Sequence, residues 1–234
     1  MSNFLPKGRR GITDQLLQFG VHLVYMEGTR TEPYYVDNIK NRIAAKYSCK
    51  PNDIAIIKGS NDKKSRHTVE LVNFALNDVK KRLQKKHTIN HVWVFFDKDS
   101  FEDFEEAHKL IERQNNSKQK NFEGFMFDEE TGISWHSCWS NECFELWLWL
   151  YYDYCEAKLY RDDYKDKLDN QPCLKRIGFS YEKNKQNIHD ILVKNGGNAT
   201  NAIKFAKKLN KKNGIDNPSS GVFYFFEYFY AYMV

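Results

Sequence analysis

Proline and cysteine are scarce in this chain, with 5 of each among 234 residues. The cysteines (Cys49, Cys138, Cys143, Cys155 and Cys173) are odd in number and form no CxxC pair. That argues against a disulfide-built scaffold and for reduced thiols. Met1 to Arg10 has no apolar core of a secretory leader, so the expected location is the cytoplasm. Long hydrophobic runs are also missing. Cys143 to Tyr154 and Val222 to Val234 are apolar, but Glu145 and Glu227 interrupt them. Both fall well short of the roughly 20 residues that a spanning helix needs, so no membrane role is expected. No GxxxxGK[ST] loop, GxGxxG turn, GxSxG elbow or HExxH pair occurs. A self-contained P-loop ATPase, a dinucleotide-binding fold, an α/β-hydrolase and a zincin are thereby disfavoured. His136, Cys138 and Cys143 lie close together, but their spacing fits no zinc module and ordinary packing is expected. Basic residues are absent between Asn121 and Ala157, a stretch with eight acidic ones.

What is present is a soluble globular composition. Hydrophobic residues make up 41% and charged residues 29%, and 17 Phe, 14 Tyr and 5 Trp can fill a sizeable core. The net charge of +5 permits an anionic partner without requiring one. After the acid-rich stretch, basic residues outnumber acidic ones from Lys158 to Lys212. A metal site flanked by a phosphate-binding surface would segregate charge this way, and so would ordinary solvated faces.

Apolar runs and helical periodicities alternate over the first part. Strands are expected at His22–Met26, Asp53–Ile57 and His91–Phe96, with a fourth at Phe122–Phe127 and a short extended element at Ile133–Trp139. Helices are expected at about Glu32–Tyr47 (with Thr31 as N-cap), His67–Lys86 and Phe101–Asn115. This order implies an α/β fold with a mostly parallel central sheet flanked by helices. After Ser140 the pattern becomes helical, with Phe144–Tyr154, a stretch around Tyr164, Asn184–Lys194 and Ala199–Asn210. The expected organisation is an α/β core over residues 1–140 and a helical part over 141–234 packed on it.

Two of the apolar runs stop on carboxylates. Val21 to Met26 ends at Glu27-Gly28, and His91 to Phe96 ends at Asp97-Lys98-Asp99. In open α/β sheets, ligands sit at the carboxyl ends of strands. Residues two apart on an extended segment point to the same side, so Asp97 and Asp99 can share a cation that Glu27 completes. Such an all-oxygen set suits a hard divalent ion, Mg²⁺ or Mn²⁺. The competing reading makes Asp-Lys-Asp-Ser a turn and helix cap.

The arrangement resembles the Toprim fold of topoisomerases, primases and OLD-type nucleases, with its Glu after a first strand and DxD after a later one. More closely, the chain resembles the RloB-like family. The matching residues are Glu27-Gly28-x-x-Thr31-Glu32-Pro33-Tyr34-Tyr35, Phe95-Phe96-Asp97-Lys98-Asp99 and Ser140-Asn141-Glu142-Cys143-Phe144-Glu145-Leu146-Trp147. Tyr181-Glu182-Lys183, Asn198-Ala199 and Asn217-Pro218-Ser219-Ser220 match more weakly. Where the family usually has Asn-Pro-Cys, this chain has Asn141-Glu142-Cys143, which leaves the geometry of one turn open.

The resemblance implies a Toprim-like domain, Mg²⁺-dependent phosphodiester hydrolysis of DNA or RNA, and a place in bacterial anti-phage defence beside an AAA- or ABC-type ATPase partner. It assigns Glu27, Asp97 and Asp99 as metal ligands, with Glu27 alternatively a general acid or base. Glu32, Glu145 and Lys183 join the candidate catalytic set. Glu32 is alternatively a dipole-favoured carboxylate in the first turn of its helix. Glu145, in an apolar helix, is a site residue or a satisfied core group. Asn141 is read as a helix cap. Arg30, Lys58, Lys63, Lys64, Arg66, Lys98 and Lys183 are candidate phosphate contacts or solvated surface. Two other classes remain. One is a non-catalytic sensor module docking a partner through the aromatics of Phe223 to Tyr232, and the other is a DxD transferase.

Overall fold

The computed structural model describes residues 19–59, 66–99, 101–116 and 132–233. Its centre is a five-stranded sheet built from β1 (His22–Met26), β2 (Ile56–Lys58), β3 (His91–Asp97), β4 (Ser134–Asn141) and β5 (Ser219–Ser220), in the order β2-β1-β3-β4-β5. The first three pairings are parallel, and β5 runs antiparallel on the edge of β4. Helices α1 (Thr31–Lys46), α2 (Thr68–Gln84) and α3 (Phe104–Asn116) accompany the parallel strands. The helical region contains α4 (Glu145–Trp149), α5 (Arg161–Asn170), α6 (Pro172–Arg176), α7 (Ile188–Lys194), α8 (Ala199–Asn213) and α9 (Val222–Met233).

The strands are apolar on both faces because both are covered. Leu23, Tyr25, Val92, Val94 and Phe96 pack with Leu71, Val72, Ala75 and Val79 of α2 and Phe104, Ala107 and Ile111 of α3. Val24, Trp93, Phe95 and Cys138 face the other way, against Tyr35 and Ile39 of α1, Leu146 and Trp147 of α4, and Phe225 and Phe229 of α9. This second cluster draws on helices from both parts of the chain. Two polar ties reinforce it: Tyr35 and Tyr151 share a buried 2.9 Å hydroxyl contact, and half-buried Arg42 of α1 pairs with Asp190 of α7 at 2.6 Å.

Several elements differ from the sequence expectation. The second strand is shorter and later, because Pro51–Asp53 winds into a 3₁₀ turn. The short element expected at Ile133–Trp139 is an eight-residue strand paired in register with β3. The strand expected at Phe122–Phe127 lies outside the described residues. Helix α4 covers only Glu145–Trp149 of the expected Phe144–Tyr154. The aromatic run Phe223 to Tyr232 forms α9, which buries Phe223, Phe225, Phe226 and Phe229. Half of the aromatics proposed for partner docking are therefore core, while Tyr228, Tyr230 and Tyr232 are half-buried and Tyr224 is exposed. His136 and Cys138 belong to the same face, His136 stacked on Trp93 at 3.8 Å between ring centres and Cys138 buried.

Candidate functional site

The carboxyl ends of β1 and β3 open onto a cavity of about 430 Å³. Its walls include Glu27, Gly28, Thr29, Arg30, Thr31 and Glu32 from the β1–α1 turn, Asp97 and Asp99 beyond β3, Phe144 and Glu145 at α4, Arg161 at α5, and Lys183. All six candidate site residues therefore line one cavity, although they are spread over 157 residues of chain.

Local structure explains the placement. β1 ends at Met26, and the Glu27 amide still donates to Phe95 O at 3.0 Å, which holds the start of the turn against β3. Gly28 leaves room for the Glu32 side chain, since a Cβ there would lie 1.9 Å from Glu32 Oε2. Asp97 ends β3, and the chain then turns. Asp99 has a φ of 36°, a left-handed conformation that Asp tolerates better than most residues. The extended continuation expected over Asp97–Asp99 is thus replaced by a turn, which is anchored by Lys98 N to Ser140 O at 2.8 Å and Asp99 N to Glu142 O at 3.1 Å. The Asn141–Glu142 peptide, the turn left open above, is cis.

The six residues differ in environment. Asp97 and Glu32 are buried, at 7% and 6% exposure, and Glu145 at 2%. Tyr181 donates its hydroxyl to Glu145 Oε1 at 2.9 Å, while Glu145 Oε2 is buried with no hydrogen-bond partner. Glu27 Oε2 accepts a long 3.4 Å bond from the Asp97 amide, and Glu27 Oε1 stands 3.5 Å from His67 Nδ1. Lys183 is tied in through its backbone: Thr31 Oγ1 donates to Lys183 O at 3.1 Å. Thr31 is the first residue of α1 and makes no cap, so the expected N-cap role falls away. Nor does Asn141 cap α4; its amide donates to Ile215 O at 2.8 Å.

Burial pushes Glu27, Glu32 and Asp97 toward the neutral form. It lifts Glu27 and takes Glu32 up to about 7, with the charges of Glu145 and Glu27 adding to the shift in Glu32. Asp97 is raised well above the ordinary range by burial and by the neighbouring charges of Glu32 and Glu145. The pairing with Arg161 does not offset this.

Sequence reasoning missed Arg161. A single nitrogen of this guanidinium, Nη2, lies 2.9 Å from Asp97 Oδ2, 2.9 Å from Asp99 Oδ1 and 2.7 Å from Asp99 Oδ2. Burial opposes its charge, but Glu145, Asp97 and Asp99 outweigh that and hold it firmly protonated. Nothing in the local pattern Tyr160-Arg161-Asp162 marks it. The available signal was indirect: five buried or half-buried carboxylates demand a counter-charge, and Arg161 follows closely on the long stretch without basic residues. Of the other basic candidates, Arg30 lines the cavity. Lys58 pairs with Asp37 at 2.6 Å, Arg66 lies over the Phe74 ring, and Lys98 donates to Phe101 O. Lys63 and Lys64 fall outside the described residues.

The donor chemistry fits a hard divalent cation. The oxygens are carboxylate, one of them (Glu145 Oε2) lacks a partner, and a bound cation would oppose the lift in Glu27, Glu32 and Asp97. As the side chains stand, however, no three His, Cys, Asp or Glu groups among the described residues are close enough to hold a metal. Arg161 stands between Asp97 and Asp99, and Glu27 turns toward His67.

The fold and cavity define an α/β protein with an acid-lined site at the carboxyl edge of a mostly parallel sheet. The model for RloB-like proteins matches residues 22–228, and the chain belongs to that family. No curated protein and no solved structure matches it. Among the described residues, no helix is long and apolar enough to cross a membrane.

Proposed function

We propose that this protein is a Toprim-like, divalent-metal-dependent nuclease that hydrolyses phosphodiester bonds of DNA or RNA, acting in anti-phage defence under the control of an ATPase partner. The observation that carries this reading is the gathering of Glu27, Glu32, Asp97, Asp99 and Glu145 around one cavity whose walls also bring Arg30, Arg161 and Lys183. Asp97, Asp99 and Glu27 would hold the cation, and Mg²⁺ or Mn²⁺ bound there supplies charge neutralisation and Lewis-acid polarisation for phosphodiester cleavage. Arg30 and Lys183 offer positive charge to the backbone phosphates at the cavity wall. Glu27, with one oxygen facing His67, is alternatively the group that would take or give a proton at the reacting water instead of holding the cation. Glu32 and Glu145 line the same cavity and would add negative charge around a bound cation. The defence setting and the ATPase partner rest on the family relationship. The absence of a P-loop in the chain agrees with ATP hydrolysis being the partner's task.

The test is cleavage of single- and double-stranded DNA and RNA with Mg²⁺ or Mn²⁺, with and without any ATPase found encoded beside it. Asp97→Ala and Asp99→Ala should each abolish metal-dependent cleavage. Full activity in both variants would remove the mechanism. A wild type that binds neither ion would favour the sensor-module reading.

A further inference from the structure

Arg161 is the feature that the proposed chemistry leaves unused. Three carboxylate oxygens from two aspartates converge on one nitrogen, at 2.7 to 2.9 Å. The side chain is only about one-third exposed, at 29%. It comes from the first residue of α5, across the cavity from the strand ends. Divalent cations bind oxygens at roughly 2.0–2.6 Å, so the same oxygens would receive an ion close to the point that Nη2 now holds. Two cations cannot share that point. Coulomb repulsion and simple volume both exclude it.

We infer that Arg161 is a built-in counter-cation that competes with the divalent ion for Asp97 and Asp99, so that metal loading requires its guanidinium to leave. This rests on the metal reading of the site given above. The alternative role for a buried arginine is a permanent brace, and two observations argue against it here. First, Nη2 serves both aspartates alone, which forgoes the two-pronged geometry that makes a fixed arginine–carboxylate pair strong. Second, Glu145 Oε2 stays unpartnered in the same cavity although Arg161 has further donors, so the acidic charge remains under-compensated. A site with more acid than base holds its arginine and still attracts a stronger cation. Arg161 thus protects the empty site from self-repulsion and sets the metal concentration at which loading begins.

The test uses the full chain and Mn²⁺ alone, by titration calorimetry, on the wild type, Arg161→Gln, Arg161→Lys and Asp99→Asn. Arg161→Gln should bind Mn²⁺ about tenfold tighter or more, the scale expected for losing one charge-assisted competitor. Arg161→Lys, which keeps a positive charge, should stay nearer the wild type, and Asp99→Asn should bind much more weakly. In the wild type, the Arg161 Nε–Hε NMR signal should move as Mg²⁺ is added, at the concentration where binding occurs. That reading does not depend on any variant folding. If Asp99→Asn weakens binding while Arg161→Gln binds no tighter and the arginine signal stays fixed, the competition is wrong and the metal site stands. If Asp99→Asn binds as the wild type does, the metal site is wrong and the competition falls with it.

Discussion

Strands β1 and β3 carry titratable groups at both ends, with His136 of β4 beside them at the amino ends, and the two ends solve opposite problems. At the amino ends lie His22, His91 and His136. His22 stacks on His91 at 4.8 Å, and His91 Nδ1 meets His136 Nε2 at 3.0 Å. His22 donates from Nε2 to Phe19 O and accepts at Nδ1 from the Trp93 indole, which fixes it as a neutral tautomer. Tyr228 of α9 reaches His91 Nε2 at 3.1 Å. The cluster is closed and its hydrogen bonds suit uncharged rings. At the carboxyl ends the acids face a cavity, one oxygen has no partner, and the counter-charge arrives from a distant helix. Burial perturbs both ends, but only one is left open to an ionic ligand. Perturbed titration therefore marks a candidate site only where the geometry also leaves something unsatisfied.

The largest difference between the ends should appear on exchanging one residue at each. Asp97→Asn should lower metal-dependent cleavage by about a thousandfold or more while the protein stays folded, since it removes a proposed ligand and not core packing. Trp93→Ala should do the reverse. Its cost is about 3–5 kcal/mol of stability for a buried indole, read as a lower thermal midpoint, with cleavage per folded molecule retained. Comparable stability losses from both variants would erase the contrast.

The pH response should separate the ends next. Burial lowers His22 and His136 to about 3, below the 6.5 expected in the unfolded chain. The unfolded state then binds more protons, so stability is full above about pH 6.5 and is lost as pH falls toward 3. Glu32 has the opposite sign. Its folded value of about 7 lies above 4.5, so the folded state binds more protons and its contribution is present below pH 4.5 and lost as pH rises through 7. Thermal midpoints across pH 4 to 9 should show the alkaline loss in the metal-free wild type and a smaller one in Glu32→Gln, where the lifted Asp97 and Glu27 remain. The smallest effect expected is that of Tyr181→Phe, which removes one hydrogen bond to Glu145. A loss of about 1–3 kcal/mol is expected by denaturant unfolding, because Glu145 Oε1 would then be as unsatisfied as Oε2.

Much of this was legible in the chain, and the rest was hidden for physical reasons. The runs that end at Glu27 and Asp97 announced β1 and β3, because strands buried on both faces must be continuously apolar. The Glu-Gly-x-x-Thr-Glu spacing placed Glu32 in the first turn of α1, beside Glu27 and over the glycine that makes room for it. The left-handed turn at Asp99 was not readable, since its determinants are backbone bonds to Ser140 and Glu142 on another strand. The strand rank of Ser134–Asn141 was obscured by its polar residues, which serve tertiary partners: Ser137 meets His108, and His136 meets His91. Arg161 was invisible because a counter-charge is chosen by distance in space, and its partner Asp97 lies 64 residues away in sequence.

That separation also sets an order in time. Glu27, Glu32, Asp97 and Asp99 leave the ribosome before Arg161 and Lys183 are made, at roughly 5–20 residues per second. A nascent chain halted before α5 would display the acidic edge without its guanidinium, and without the late helices that cover one face of the sheet. The cavity can close only when nearly the whole polypeptide is present. Synthesis itself thus works as a delay, and a product truncated before α5 is left with acids that Arg161 does not compensate.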